Sequence, residues 1–469
     1  MTAKTDITIK KIHLIAACGT GMGTLACILK EMGYEVSGSD QNIYPPMSDF
    51  LEEKGIKLFK GYNPENLGHN PDLVIIGNAI SKDNIEAQAV MQRGIEYLSM
   101  PQAVNKFIAE NKKIILVTGT HGKTTTASIM AHILYSAGLD PSFMIGGILK
   151  DFNSSFRIGS GVYMVIEGDE YDTAFFDKGP KFMHYDPEIT IITGIEFDHA
   201  DIFTGIDHIK QIFADFIKKI EKQSHIIAFA DNDNLDQILG LSCAESLEKY
   251  GTHAQWHYAN YKHQGSKTCF DAKEFNKIYP IETNLMGEHN LFNCLACIAA
   301  ARNVGISYEN IFNALKTFSG IKRRQEIRGV KNGITVMDDF AHHPTAVRET
   351  IKGVKAFYKD GRIIAVFEPR TNTSMRKFFQ NTYPHSFLNA DMVCVCKPGV
   401  KKNIPQKDKF STEQLVIDIK KKGVEAYHFE NSHEIINFLV QQLKSGDLVL
   451  IMSNGGFDSI HTKLLGKIR

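Results

Sequence analysis

The sequence predicts an α/β protein of three domains, each built around a largely parallel sheet. Three observations carry this. The chain has 469 residues, too many for one typical domain. Short apolar runs alternate with helical patterns from end to end, as parallel sheets covered by helices require. A glycine loop rich in phosphate-binding residue types also joins a strand to a helix near residue 120.

The first block spans about 1–108. Ile12-His13-Leu14-Ile15-Ala16 reads as a strand and Gly19-Thr20-Gly21-Met22-Gly23 as a tight turn. Thr24 to Met32 reads as a helix, and Tyr34 to Asp40 as a second strand ending in Ser39 and Asp40. That is the layout of a nucleotide-binding βαβ unit, with the acid placed to meet a ribose or base. The third glycine comes one residue early for the dinucleotide fingerprint, so a nicotinamide cofactor is not implied. Asp72 to Gly77 supplies another buried strand.

The second block, about 109–328, opens with Ile114-Ile115-Leu116-Val117 as a strand. Thr118-Gly119-Thr120-His121-Gly122-Lys123-Thr124-Thr125-Thr126 follows as a loop, then Ala127 to Leu134 as a helix. Such a loop aims backbone N–H groups and the positive helix end at a phosphate chain. Lys123 is expected to reach the outer phosphates and the Thr124 hydroxyl to hold Mg²⁺. Only Thr120 and His121 separate Gly119 from Gly122, so this is a shortened variant of the general pattern.

Val162 to Ile166, Thr190 to Thr193 and Ile226 to Phe229 read as further strands. Residues 240–285 read as loops and short strands. Glu167-Gly168-Asp169-Glu170-Tyr171-Asp172 follows a buried strand, which puts Glu167 at the carboxyl end of the sheet, where α/β ligands bind. These crowded carboxylates repel one another unless a cation intervenes, and oxygen donors suit Mg²⁺. Glu196-Phe197-Asp198-His199-Ala200-Asp201 ends on the same edge, with His199 as a second-metal ligand or acid–base group. In Gly287-Glu288-His289-Asn290-Leu291-Phe292-Asn293 an asparagine can pair with a base edge, or Asn290 can cap the helix Cys294 to Arg302. Phe318 to Glu326 carries the adjacent Arg323 and Arg324, which can clamp phosphate.

The third block, about 329–469, has strand patterns at Ile334 to Met337, Arg362 to Phe367, Met392 to Cys396 and Asp447 to Met452. Asp338-Asp339-Phe340-Ala341-His342-His343-Pro344 follows the first of these and is placed to close over a ribose.

Composition excludes several classes. Hydrophobic residues make up 43% and charged residues 23%, which fits packed domains. Cationic and anionic side chains balance at 53 each, so neither a nucleic-acid groove nor a membrane surface is implied. The basic runs Lys401-Lys402 and Lys420-Lys421-Lys422 read as solvated faces. No signal-peptide pattern or membrane-length apolar run is present, so a cytoplasmic location is expected. Cys294, Cys297, Cys394 and Cys396, among eight cysteines, fall in buried patterns and read as small hydrophobes.

Together these motifs resemble the ATP-dependent Mur ligases of bacterial peptidoglycan synthesis, over essentially the whole chain and in the same order. The segments that carry the resemblance are Gly119 to Thr125, Glu167 to Glu170, Asp198 to Asp201, Gly287 to Asn290 and Asp338 to Pro344. The histidine in the loop and the Gly19 to Gly23 start look like the branch acting on UDP-N-acetylmuramate itself. Its members add either L-alanine or a murein tripeptide.

Asn42 to Ser48, Glu170 to Lys178, Phe340-Ala341, Phe367 to Thr373 and Met452 to Phe457 are similar to the tripeptide-adding members. A peptide acceptor also needs more polar handles than free alanine does. The resemblance implies an N-terminal Rossmann-like UDP-binding domain, a central P-loop ATPase domain and a C-terminal Rossmann-like α/β domain. It implies ATP and Mg²⁺ as cofactors and an acyl-phosphate route. It further implies UDP-N-acetylmuramate and L-alanyl-γ-D-glutamyl-meso-diaminopimelate as substrates, and a monomer or weak homodimer.

Residue by residue, it puts Lys123, Glu167 and His199 at the chemistry and Thr124, Glu167 and His199 at the metals. Gly119 to Thr125, Asn290, Asn293, Arg324 and Asp339 go to ATP. Gly19, Thr20, Gly21, Met22, Gly23, Ser39 and Asp40 go to the UDP-sugar, and Arg370, Asn372 and Asn454 to the peptide. Gly194 departs from the asparagine that relatives commonly carry. No carbamylated lysine is identifiable; Lys210 and Lys218 are candidates by neighbourhood alone.

Overall fold

A computed structural model describes residues 9–43, 47–200, 202–399 and 404–468. Tyr44 to Pro46, Asp201 and the Lys401-Lys402 run, all weighed above, lie outside the described residues. Three sheets organise the chain.

The first sheet is parallel, with spatial order Lys57–Lys60, Glu35–Asp40, Lys11–Ile15, Leu73–Ile76, Glu96–Ser99. Lys11–Ile15 pairs with Glu35–Asp40 on one side and with Leu73–Ile76 on the other. The strand order therefore reverses around the first strand, and the crevice at its carboxyl end is where such folds bind ligands. The expected glycine turn is not one. The helix begins at Thr20 and runs to Glu31, with Gly19 as its N-cap, so Gly21 and Gly23 lie in its first turn. A Cβ on Gly23 would stand 2.4 Å from the Met47 sulfur, and one on Gly21 would stand 3.1 Å from the Met100 methyl. Packing explains these two glycines.

The central sheet has ten strands. Lys113–Thr118, which feeds the phosphate loop, lies between Ile189–Ile192 and Tyr163–Gly168 in parallel register. Residues 240–285 are more regular than their polar pattern predicts. Trp256–Gln264, Lys267–Glu274 and Lys277–Thr283 form an antiparallel meander that extends the sheet. One face of the meander is solvated, so alternation replaces the continuous apolar run that marks a parallel strand. Buried Trp256, Phe270 and Ile281 form its inner face.

The third sheet runs Glu326–Lys331, Ile334–Asp339, Leu448–Met452, Ile363–Phe367, Met392–Cys396, Glu425–Phe429, with only the first pair antiparallel. Its first strand runs across the expected 328/329 division. Separate apolar clusters cover its two faces. Cys294 and Cys297 are buried on the helix Glu288–Val304, and Cys394 and Cys396 in their strand.

A short ribbon, Asp172–Ala174 with Asp177–Pro180, ties the first two domains together. Phe176 meets Tyr97 edge-on at 4.9 Å, and Ser99 Oγ donates to Asp177 at 2.7 Å. No helix among the described residues is long and apolar enough to cross a membrane.

Candidate active site between the central and C-terminal domains

The phosphate loop is shaped by two left-handed glycines. Gly119 has φ 118° and Gly122, the N-cap of helix Lys123–Ser136, has φ 79°. A Cβ at Gly119 would lie 2.5 Å from Thr193 Oγ1, and one at Gly122 would lie 2.7 Å from Asn293 Oδ1. Both conformation and space therefore demand glycine here. Thr120 N–H donates to the Gly194 carbonyl at 2.8 Å, and Gly194 sits at φ 110°. The side chain absent at Gly194 has Asn232 as its neighbour, and Asn232 bonds both the N–H and the carbonyl of Ile195.

Lys123 is buried. Its ammonium donates to Gly119 O at 2.6 Å and to both Glu170 oxygens at 3.0 and 2.8 Å. Glu170 was visible in the acidic cluster, but the sequence assigned it no task. It is the anion that occupies the lysine. Thr124 Oγ1 donates to Glu167 Oε1 at 2.8 Å, and the other Glu167 oxygen accepts from Gly146 N–H at 2.6 Å. Burial, then the Asp169 charge, push the Glu167 carboxyl up; Lys123 pulls the other way. Asp169 is held down despite burial, first by Lys181 at 3.1 Å and then by Lys123. A hydroxyl and a carboxylate converging beside a crowded acidic cluster fit a hard divalent cation such as Mg²⁺.

His199 packs on Tyr171 at 4.3 Å between ring centroids, and it is among the neighbours that hold the Asp169 and Asp198 carboxyls down. It therefore shares the neighbourhood of Lys123 and Glu167. It belongs to no group of three converging His, Cys, Asp or Glu ligand atoms among the described residues.

A cavity of about 430 Å³ opens from this loop toward the third domain. Thr120, His121, Gly122, Thr125, Asn290, Asn293, Arg324 and Asp339 all line it. Phe229, Tyr250 and Phe292 give it an apolar wall, a feature that no local motif signalled. Asn290 is not the helix cap, because helix Glu288–Val304 starts before it and Gly287 is the N-cap. Its amide donates instead to Met286 O at 2.8 Å and Gln325 Oε1 at 3.3 Å, while Asn293 donates to Asn290 Oδ1 at 3.0 Å. Asp339 accepts from the N–H groups of Gln325 and Ala341, each at 2.8 Å. Arg324 reaches Thr124 Oγ1 at 3.2 Å and lies over the Phe340 ring.

The third domain is closed onto the second. Lys352 pairs with Glu288 at 2.7 Å, Phe197 packs on Phe378, and Thr373 Oγ1 accepts from Ala200 N–H at 3.1 Å. Glu196 and His343 were quoted in motifs without a role, yet both sit at this interface. Thr345 Oγ1 donates to Glu196 at 2.7 Å, and His343 Nε2 bonds Phe197 O at 3.2 Å. Burial, then the nearby His121, push the His343 imidazole down to about 3. Glu196 is held at about 2, because the nearby His121 imidazole, 3.4 Å away, and the Thr345 hydrogen bond outweigh burial.

The candidate peptide residues follow the carboxyl ends of Ile363–Phe367 and Leu448–Met452, on the same edge of the third sheet as Asp339. Arg370 is exposed, stands 3.8 Å from Glu368 and lies against Gly455, next to Asn454. Asn454 Oδ1 is buried without a hydrogen-bond partner, and Asn372 is half-buried nearby in sequence. Arg323 shapes this loop by donating to the carbonyls of Ser453 at 2.7 Å and Gly455 at 2.6 Å.

In the first domain, Asp40 is held by the N–H groups of Cys18 and Asn42, each at 2.9 Å. Ser39 is a correction: its side chain is wholly buried in the strand and presents no surface to a ligand. Met22 is also buried, while Gly19 and Thr20 are exposed at the crevice. Lys210 and Lys218 lie on helix Ile206–Lys219, where they pair with Asp207 and Asp215.

Three family models match in succession. They are the Mur ligase family catalytic domain over residues 11–112, the Mur ligase middle domain over 117–301, and the Mur ligase glutamate ligase domain over 323–455. The UDP-N-acetylmuramate–L-alanyl-γ-D-glutamyl-meso-2,6-diaminoheptandioate ligase of Escherichia coli K12 is 40% identical, with 97% of each chain covered. The UDP-N-acetylmuramate–L-alanine ligase of Clostridium acetobutylicum is 33% identical, with 99% of each covered. The crystal structure of a murein peptide ligase from Psychrobacter arcticus superposes with TM-score 0.71 at 34% identity, covering 98% of each chain. With its three sheets in the matched order and its phosphate loop at their centre, the chain belongs to the Mur ligase family.

Proposed function

We propose that the protein joins UDP-N-acetylmuramate to the tripeptide L-alanyl-γ-D-glutamyl-meso-diaminopimelate at the expense of ATP, in peptidoglycan recycling. The observation that carries this reading is the cavity bounded by the phosphate loop, Asn290, Arg324 and Asp339. The ranking of relatives, with the tripeptide-adding enzyme at 40% identity above the alanine-adding one at 33%, favours the larger acceptor.

In this reading the sugar's lactyl carboxylate attacks the γ-phosphate of ATP, forming an acyl phosphate and releasing ADP. The peptide amine then displaces phosphate to form the amide. Lys123 and Arg324 supply positive charge where two anions must meet. Bound by Thr124 and Glu167, Mg²⁺ would neutralise phosphate charge, with His199 assigned to a second ion. Asn290, Asn293 and Asp339 orient the nucleoside. Gly19, Thr20 and Asp40 receive the UDP moiety. Arg370, Asn372 and Asn454 receive the peptide, with Arg370 a suitable carboxylate partner.

Phosphate release with UDP-N-acetylmuramate and ATP tests the acceptor. The tripeptide should stimulate it strongly and L-alanine should not. Arg370→Ala should raise the tripeptide KM by roughly tenfold or more, as loss of a charge-assisted pair does, with the KM for UDP-N-acetylmuramate kept. Equal stimulation by L-alanine would exchange this reading for the alanine-adding one. An unchanged tripeptide KM would remove Arg370 from the peptide site.

A further inference from the structure

We propose that His121, Glu196 and His343 form a binding site for a divalent ion of the zinc class, clamping the C-terminal domain onto the phosphate-loop domain. The three residues come from separate segments. His121 lies in the phosphate loop, Glu196 follows the strand Ile189–Ile192, and His343 is the N-cap of helix Pro344–Phe357 in the third domain. One ligand atom from each falls within 4.8 Å of the other two. His121 Nε2 lies 3.4 Å and His343 Nδ1 3.9 Å from the same oxygen, Glu196 Oε2. Around a tetrahedral zinc with bonds of about 2.0–2.2 Å, ligand atoms stand roughly 3.4 Å apart. Small side-chain adjustments therefore bring all three onto one ion.

The surroundings are those of a ligand set. His343 is only 5% exposed, and His121 Nε2 is sealed from solvent without a hydrogen bond. Donation from His343 Nε2 to Phe197 O leaves the lone pair on Nδ1, as outer-shell partners do for ligating imidazoles. The one bond Nδ1 now accepts, from Thr345 N–H, is long at 3.3 Å. Thr345 Oγ1 orients Glu196 from the same helix start. Two imidazoles with one carboxylate prefer zinc, cobalt or nickel to magnesium. None of the three side chains belongs to the Thr124–Glu167 pair. His121 and Glu196 face the cavity, so a fourth position is open to water or a phosphate oxygen. An ion here bonds both domains at once and opposes their separation.

Zinc binding by equilibrium dialysis of the chelator-treated full chain, with millimolar Mg²⁺ and no nucleotide, tests the proposal without reference to ligase activity. One equivalent should bind below about 10 µM, and Co²⁺ in its place should give the visible absorption of a low-coordinate site. His343→Ala and Glu196→Gln should each weaken binding by at least about tenfold, while Glu167→Gln should not. In solution scattering, Zn²⁺ should compact the wild type and leave His343→Ala unchanged. If His343→Ala fails to fold through loss of its cap, the similarly sized Glu196→Gln decides. The absence of a saturable site in the wild type, or unaltered binding in Glu196→Gln, overturns the proposal.

Discussion

Lys123→Ala should lower ATP-dependent ligation by roughly three orders of magnitude, equivalent to about 4 kcal/mol of transition-state stabilisation. The side chain is buried at the start of helix Lys123–Ser136, and its ammonium is the positive group held inside the loop. A carboxylate attacking a phosphate anion has little covalent help from the protein, so positioning and fixed charge supply most of the acceleration. Water entering the vacated space cannot supply the positive charge that the ammonium carries. The loop backbone should keep its shape, because Gly119 and Gly122 set it and the Thr120 to Gly194 bond pins it. Circular dichroism should therefore report a folded variant while phosphate release falls to background. Turnover within tenfold of wild type would remove Lys123 from the chemistry.

The sequence conveyed strand identity where strands are buried on both faces. Ile114 to Val117, Ile363 to Phe367 and Met392 to Cys396 are continuous apolar runs, and each became a central parallel strand. It understated residues 256–283, where short strands and loops were expected and a half-solvated antiparallel meander mixes charged and aromatic residues. It also misjudged Gly21 and Gly23, since spacing alone cannot separate a turn glycine from one that admits a methionine side chain.

The candidate site divides in the same way. Lys123, Thr124 and Glu167 were legible because one strand–loop–helix unit and its neighbouring strand end carry them. Glu196 and His343 take their meaning from a contact between domains separated by 147 positions or so in the chain, which no local pattern encodes. Arg323 is similar: its neighbour Arg324 faces the cavity, while Arg323 turns to the Ser453–Gly455 loop.

Glu170→Ala should expose a second role for the phosphate loop's surroundings, with an effect opposite to that of a simple binding residue. The Lys123–Glu170 pair is buried, with side-chain exposures of 10% and 4%. Removing one member of such a pair leaves an uncompensated charge and costs about 3–5 kcal/mol. Lys123 keeps its bonds to Gly119 O and Thr120 O, which favours the lower end. A loss of about 3 kcal/mol in a domain of this size lowers Tm by roughly 6–12 °C.

Burial works to lower the Lys123 pKa, but Glu170 and then Asp169 outweigh it and raise it above 10.5. The part of the pair's contribution linked to the lysine's proton is thus complete below the unfolded lysine pKa and is lost as pH rises through the higher folded value. Melts near neutral pH therefore compare like with like. On the proposed assignment, the outer phosphates of ATP take the place of Glu170 as partner of the ammonium. The nucleotide then restores in the variant what the substitution removed, and its stabilisation adds by mass action. Calorimetry should show a depressed Tm without ATP, a larger ATP-induced rise than in the wild type, and ATP affinity retained or improved. An unaltered ligand-free Tm would show that the pair adds nothing to stability. A variant that ATP no longer stabilises would make Glu170 a nucleotide ligand, not a stand-in for the phosphate.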